Sequence, residues 1–495
     1  MSIIFYNYLS RIFLILALFN SIQANDKSFS KDEATGPYTS LPSSSRTGKE
    51  IRIGIIGAGA AGISAAYYLK KNGYTDVTIL EKENRVGGKC HSVTIGANTY
   101  ELGAILVPKF YENIRDLGIT LHQGLENVPP SYEMSPLGKS TSSLPYTWKE
   151  IIKGVILGLK NAIAFKYTMP KTGFFGVSQS KVSDNSAQFL EENKLSIWQR
   201  YWKFSVESCG YGPLKTTAAA YALRMFPPKA VSVLTLGKVL PSQQFGSCFT
   251  SGYQSLFKEM AKNLTVHTQH TVEWIDYNQL GIEVKTQHFS KGTVSFQFDK
   301  LIVAIPPDHL IGKTDLSENE KSLFSKIRYY DYGVTLFEPQ QPLTYKAFLN
   351  EQICEHAPVM LVQNWPASPV VTSYAYGDLE EHAHGEINTD GKAVTSALDN
   401  RVQELFGTNV KKIHAQKHWE YFPHISSQDI KDGWFDQMEA MQGAKNTYYV
   451  GSALSFELVE TVVAYSKELV NKHFPANPTS RGWFSSAWAR AFGKH

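Results

Sequence analysis

The chain has 495 residues, with 49 Lys and Arg against 45 Asp and Glu, a formal net charge of +4. At 43% hydrophobic and 19% charged residues it is neither a disordered nor a fibrous chain, and so mild a charge argues against nucleic-acid binding. The length exceeds one ordinary domain of roughly 100–200 residues, so two or more lobes are expected.

In chain order, Arg11 precedes the apolar run Ile12-Phe13-Leu14-Ile15-Leu16-Ala17-Leu18-Phe19, and small Ala24 stands before Asn25. A positive flank, a short apolar core and a small residue at the cut predict a signal peptide over 1–24 and an exported, periplasmic or secreted protein. The run is shorter than the roughly 20 residues a span needs; an N-terminal membrane anchor is the alternative. Residues 25–49 read as a polar linker.

Ile51-Arg52-Ile53-Gly54-Ile55-Ile56 reads as a buried strand, followed at once by Gly57-Ala58-Gly59-Ala60-Ala61-Gly62. A helix is predicted from Ile63 to Lys71, ending near Asn72-Gly73, and a second strand over 77–80 carries Glu81 at its tip. In such a unit Gly57 makes the tight turn, Gly59 lets a pyrophosphate approach the backbone, and Gly62 lets helix and strand pack closely. The helix start offers free N–H groups to phosphate. Glu81, 19 positions past Gly62, stands where a carboxylate accepts bonds from a ribose diol. The strand–helix–strand frame predicts dinucleotide binding, with Ala58, Ala61 and Lys82 beside the same groups. Arg85-Val86-Gly87-Gly88-Lys89 adds a second glycine pair, with Lys89 or Arg85 to offset phosphate charge.

This arrangement resembles the FAD-binding module of the flavin amine oxidase and phytoene desaturase superfamily. The resemblance continues at 298–307, similar to that family's late strand ending in Ala-x-Pro at Pro306, and at His270-Thr271-Val272-Glu273, similar to the strand whose backbone at Val272 meets the adenine. It continues in Tyr448-Tyr449-Val450-Gly451 and in a helix opening at Val459-Glu460-Thr461-Val462. What it implies is one bound FAD, with the amides of Glu460, Thr461 and Val462 facing the flavin pyrimidine. No second complete glycine fingerprint is present: Gly210-Tyr211-Gly212 has Lys215 in the third glycine's place, so no NAD(P)H domain is expected.

Several stretches are more similar to the bacterial polyenoic fatty acid isomerase branch: 86–92 continuing through Tyr100-Glu101-Leu102-Gly103-Ala104, Gly210–Gly212 with Ala219-Ala220-Tyr221, 252–257, and Trp419-Glu420-Tyr421-Phe422-Pro423-His424 onward to Val470. Gly103 and Ala104 therefore join the expected cofactor contacts. The implied chemistry removes a hydride between double bonds and returns it elsewhere, carried by flavin, with no nucleophile or catalytic residue to name from sequence. The stretch Gly124-Leu125-Glu126-Asn127-Val128-Pro129-Pro130-Ser131-Tyr132-Glu133-Met134 lacks the basic residue associated with the fatty acid carboxylate in that branch. Arg224, Lys229 and Lys238 are substitutes by type only, each otherwise a solvated surface charge.

Cys90, Cys209, Cys248 and Cys354 show no C-x-x-C spacing, and no metal site is expected. Cys90 and His91 read as packing rather than covalent flavin anchors, and His418-Trp419…His424 as an alternating strand. Residues 475–495 form a tail in which Trp483, Phe484, Trp488 and Phe492 with Arg481, Arg490 and Lys494 suit an interfacial helix touching a membrane surface.

The expected architecture is α/β: a Rossmann-like FAD-binding domain from 50–120, 245–312 and 440–474, interleaved with an α+β substrate domain from 121–244 and 313–439. The expected function is an FAD-dependent oxidoreductase or isomerase acting by hydride transfer on an unsaturated fatty acid or similar small apolar molecule. An amine oxidase releasing peroxide and a non-catalytic flavin-binding protein are the alternatives.

Overall fold

Ile53–Ile56 (β1) is buried at every position, as an Ile-Gly-Ile-Ile run inside a parallel sheet requires. The computed structural model that places it describes residues 48–127, 156, 170–178, 180–195, 198–225, 246–343, 347–349, 353–365, 367–387 and 391–476. The signal peptide, most of the linker, the stretch 128–134, Lys229, Lys238 and the tail from 477 lie outside the described residues. No helix among the described residues is long and apolar enough to cross a membrane.

After β1 come helix α1, Ala60–Lys71, and strand β2, Val77–Leu80. The helix starts three residues earlier than the sequence reading, because Gly59 itself serves as N-cap with extended backbone at φ −74° and ψ −173°. Strands β3 (Thr265–His267), β4 (His270–Asn278), β5 (Gly281–His288), β6 (Gly292–Phe298) and β7 (Lys300–Val303) follow. Further on are β8 (Arg328–Pro339), β9 (Ala347–Leu349), β10 (Pro358–Val362), β11 (Val371–Tyr376), β12 (Val410–His424), β13 (Thr447–Tyr449) and helix α2, Val459–His473.

Five of these strands make one parallel sheet in the order β13-β7-β1-β2-β3. Helix α2 lies against α1: Lys467 Nζ sits over the Tyr68 ring at 5.5 Å, and Asn72 Nδ2 donates to the Phe474 carbonyl at 2.8 Å. Strands β4, β5 and β6 form a separate antiparallel sheet. A third sheet, antiparallel and five-stranded, runs β9-β10-β11-β8-β12. Its outer part has a small core of its own, where Leu398 and Val402 of the helix Gly391–Phe406 meet Phe337, Leu361 and Val371. The architecture is α/β with a parallel sheet, joined to an α+β portion.

One expected strand is corrected. Residues 298–307 do not form a single strand; Phe298 ends β6, and β7 runs only from Lys300 to Val303. The turn between them is held by Asp299, whose carboxylate accepts from Arg52 N at 2.7 Å and from Arg52 Nη2 at 2.7 Å. Two half-buried charge-assisted bonds to one arginine outweigh the strand propensity of the flanking apolar residues.

Candidate functional site

A parallel sheet binds ligands beyond the carboxyl ends of its strands, where neighbouring connections diverge to opposite sides. Here β2 and β3 lie on one side of β1, and β7 and β13 on the other. Gly57, Glu81, Ala304 and Gly451 therefore share one rim. Ala304 N donates to the Ile56 carbonyl at 2.9 Å, and Gly57 N to the Leu80 carbonyl at 2.8 Å, which knits the rim together.

Two glycine turns face each other along it. Gly59 pairs with Gly87 in a bridge, and a Cβ built on Gly59 would meet nothing nearer than Gly88 Cα at 3.8 Å. The groove between them is walled by backbone, beside the first turn of α1. The amides of Ala60, Ala61 and Gly62 lack intrahelical partners by helix geometry, and no side chain caps them. This cradle fits a pyrophosphate. Gly57 takes φ +100° for the turn, and a Cβ on Gly62 would fall 1.9 Å from the Gly57 carbonyl oxygen.

Glu81 is buried at the tip of β2. Its Oε2 accepts from Ala58 N at 2.6 Å and its Oε1 from Glu83 N at 2.8 Å. The carboxylate thus holds the fingerprint turn. His270 N donates to the Glu81 carbonyl at 2.8 Å, which brings β4, with Val272 buried on it, to the same end of the groove. Replacing Glu81 with Ala is expected to weaken FAD binding by about 1–3 kcal/mol, read by titrating the apoprotein with FAD. Unchanged affinity would remove the role.

At the other end, Gly451 (φ +126°) and Ala304 face each other, with the Ala304 carbonyl 3.8 Å from a Cβ on Gly451. Pro306 begins the turn Pro307–Leu310. Helix α2 is capped by Leu458, and Val462 N donates to the Leu458 carbonyl at 3.0 Å. Of the expected set Glu460, Thr461 and Val462, the Val462 amide makes this intrahelical bond, and by helix geometry the amides of the turn without an intrahelical partner are those of Val459, Glu460 and Thr461. The Glu460 side chain points away, accepting from Asn113 N and Ile114 N at 2.9 Å each, where it caps the helix Glu112–Thr120.

Gly103 and Ala104 lie against Lys89. A Cβ on Gly103 would meet the Lys89 carbonyl at 1.7 Å, and Ala104 N donates to that carbonyl at 3.3 Å. Neither cation is free in the structure. Lys89 Nζ pairs with Glu457 at 3.0 Å and lies 5.2 Å from the centre of the Tyr421 ring, while Arg85 Nη1 donates to the Gly88 carbonyl at 2.8 Å. Lys82 is exposed. Cys90 is buried and its thiol is pushed up by burial, and burial followed by Arg85 pulls His91 down to about 4.

Strand β12 closes the site from the third sheet. Trp419 Nε1 donates to the Leu102 carbonyl at 2.7 Å, and Tyr421 OH to Tyr211 OH at 3.3 Å. Its alternation puts Trp419 and Tyr421 on one face and His418 and Glu420 on the other, as the sequence pattern predicts. Behind them, Tyr332 contacts Tyr421 at 5.3 Å and Tyr376 at 5.1 Å between ring centres. The Gly210-Tyr211-Gly212 turn serves this layer: a Cβ on Gly210 would meet the Tyr332 ring at 2.7 Å, and one on Gly212 the Tyr330 ring at 2.2 Å.

Two buried aromatics at this junction have left-handed backbone, Phe422 at φ +54° and Phe456 at φ +80°. Bulky residues rarely adopt it, and the surroundings must enforce it. Between them Glu457 accepts from Phe422 N at 3.0 Å, pairs with Lys89, and takes the Tyr211 hydroxyl on its carbonyl at 3.2 Å. Sequence reasoning missed Glu457; no motif marks it.

It also missed the weight of Glu101, whose buried carboxylate accepts from Tyr253 N and the Ser92 hydroxyl at 2.7 Å each. Burial raises it to about 7, against the two hydrogen bonds that lower it. With the folded value above the unfolded one, this group's contribution is present below about 4.5 and lost as pH rises through about 7. Glu101→Gln is expected to flatten that decline and to melt higher than the parent at pH 8, by roughly 1–3 kcal/mol. Melting curves at pH 5 and 8 check it; parallel declines in both proteins would refute it.

Residues 60–336 match the family described as flavin containing amine oxidoreductase. The chain is 23% identical over 434 residues to the FAD-dependent oxidoreductase oblC of Cochliobolus heterostrophus, covering 81% of this chain and 86% of that protein. It is 25% identical over 205 residues to a polyenoic fatty acid isomerase of Ptilota filicina, covering 36% and 41% of the two chains. The crystal structure of a fatty acid isomerase from P. acnes that produces CLA superposes with a TM-score of 0.73 at 24% identity, over 87% of this chain and all of that one.

Proposed function

The chain belongs to the flavin-containing amine oxidoreductase family and is an FAD-dependent oxidoreductase, and on that premise we propose that it acts as an isomerase on an unsaturated fatty acid or similar apolar molecule. One observation carries the choice of substrate. The aromatic layer beside the cradle directs its hydroxyls into the main chain: Tyr332 to Ser208 at 2.6 Å, Tyr376 to Glu207 at 2.6 Å, Tyr211 to Glu457 at 3.2 Å. These buried tyrosines have their hydroxyls spent and offer no free polar group, an environment that suits a hydrocarbon chain better than a polar amine. The likeness to two fatty acid isomerases supports the same reading.

Bound FAD supplies the hydride acceptor and donor. The chain's residues bind and position. In this reading Gly57, Gly59, Gly62 and Gly88 leave room for the pyrophosphate, Ala58 and Ala61 pack beneath it, and Glu81 and Val272 take the adenosine end. Gly103, Ala104, Pro306 and Gly451 border the ring end, and the first turn of α2 offers its amides. Lys89, held by Glu457, keeps a cation there without releasing it to solvent. Trp419 and Tyr421 exclude water above.

Arg224 stays a candidate for a substrate carboxylate. It is not the solvated charge of the sequence reading: its guanidinium donates to the carbonyls of Lys171 and Gly173 and stacks 5.0 Å from the Phe174 ring centre.

The test is anaerobic mixing of the holoprotein with polyunsaturated fatty acids. Flavin bleaching with a new conjugated-diene absorbance, and no oxygen uptake when air is admitted, is the expected result. Peroxide release with amines would replace the isomerase by an amine oxidase. A flavin spectrum unmoved by either substrate class would leave a flavin-binding protein without turnover.

A further inference from the structure

On the far face of β12 from the aromatic layer, three side chains distant in sequence meet. His309 stands in the single turn Pro307–Leu310, His384 in the loop after β11, and Glu420 in β12. One coordinating atom of each lies within 4.8 Å of the other two. His384 Nδ1 is 2.8 Å from Glu420 Oε2, and His309 Nε2 is 3.7 Å from the same oxygen. We propose that His309, His384 and Glu420 are the ligands of a divalent transition cation of the zinc type.

Hydrogen bonding alone leaves the cluster incomplete. His309 Nε2 is buried and has no hydrogen-bond partner among the described residues; 3.7 Å is too long for one. A buried unpaired nitrogen is destabilising unless something takes its lone pair. The two imidazoles stack at 3.5 Å between ring centres and 16° between planes, so one ring must turn out of the stack for both lone pairs to meet at one ion.

The distances suit a metal. Zinc bonds of about 2.0–2.2 Å to nitrogen and oxygen put tetrahedral ligand atoms about 3.3–3.6 Å apart. The observed 2.8 and 3.7 Å bracket that spacing, with all three atoms within 4.8 Å of one another, so turning one imidazole about its side-chain bonds completes the set. Glu420 Oε1 is fixed from behind by Gly385 N at 2.6 Å, the outer support that metal-bound carboxylates use. Three protein ligands leave the fourth position open toward solvent, where His384 is exposed. Lys82 and Lys313 oppose a cation at His309, while Asp331, directly across from Glu420 in register, favours it. Coordination at His384 Nδ1 uses the neutral ring with its one proton on Nε2, any second proton of an imidazolium leaving to water; nothing is oxidised or reduced.

The position gives the ion a task. His309 follows the end of β7 in the parallel sheet, and Glu420 sits between Trp419 and Tyr421. An ion bound there ties the cofactor rim to the strand that closes over it.

The test uses the full-length holoprotein, stripped with a chelator and dialysed against Zn2+, then desalted and assayed for metal. About one equivalent retained by the parent and at least a tenfold loss of Zn2+ affinity in His309→Ala and His384→Ala, with flavin absorbance kept, is the expected result. His384→Asn, at an exposed position, guards against misfolding and should lose the metal alike. Co2+ in place of Zn2+ should add visible bands in the parent and not in these variants. Zn2+ retention equal in parent and His384→Asn, or absent from the parent, overturns the site.

Discussion

Gly59→Val protein is expected to purify folded and colourless, with affinity for FAD lowered at least a hundredfold. The reason lies in what surrounds Gly59. Its backbone is ordinary extended chain, and the nearest atom to an added Cβ is Gly88 Cα at 3.8 Å. A side chain there strains nothing and costs only the modest loss of a good N-cap, about 1 kcal/mol. What it fills is the groove between the two glycine turns, the place the pyrophosphate needs. Flavin absorbance after desalting and far-ultraviolet circular dichroism separate the two effects. A folded variant with full yellow colour would falsify the cofactor assignment of this groove.

The parts of the site legible in sequence are those whose chemistry is local. The fingerprint from Ile51 to Glu81 needs a strand, three glycines, a helix and an acid within about 30 residues, and the structure places each of them on one rim. The alternation through His418-Trp419-Glu420-Tyr421 was legible for the same reason. What could not be read depends on convergence or on a single backbone bond. Glu457 matters because Lys89, Phe422 N and Tyr211 reach it from three other segments. Which amides of the last helix lack an intrahelical partner depends on its cap at Leu458, a boundary that pattern reading places only within a few residues. The strand expected through Phe298 breaks at Asp299 because Arg52, far earlier in the chain, claims its carboxylate. His309, His384 and Glu420 share no spacing at all.

Gly62→Ala is expected to fail differently from Gly59→Val, although both alter one motif by adding carbon to a glycine. A Cβ on Gly62 falls 1.9 Å from the Gly57 carbonyl oxygen and 3.2 Å from Ala304 Cβ. The Gly57 backbone cannot retreat, because its amide is held by the Leu80 carbonyl and the adjoining strand by Ala304 N. Helix α1 must therefore move off the sheet, opening contacts of Ile63, Ala66 and Leu69, which are fully buried. Overpacking of this severity costs about 3–5 kcal/mol. The apoprotein should melt roughly 3–5 °C lower than its parent, whereas apo Gly59→Val should stay within about 1 °C of it. Thermal melts of all three proteins, stripped of FAD, decide between these outcomes. Equal melting of parent and Gly62→Ala would mean that α1 does not rest on the fingerprint turn as described. Both variants lose FAD, one by a filled groove and the other by a displaced helix, and only the melt of the cofactor-free chain tells binding from scaffold.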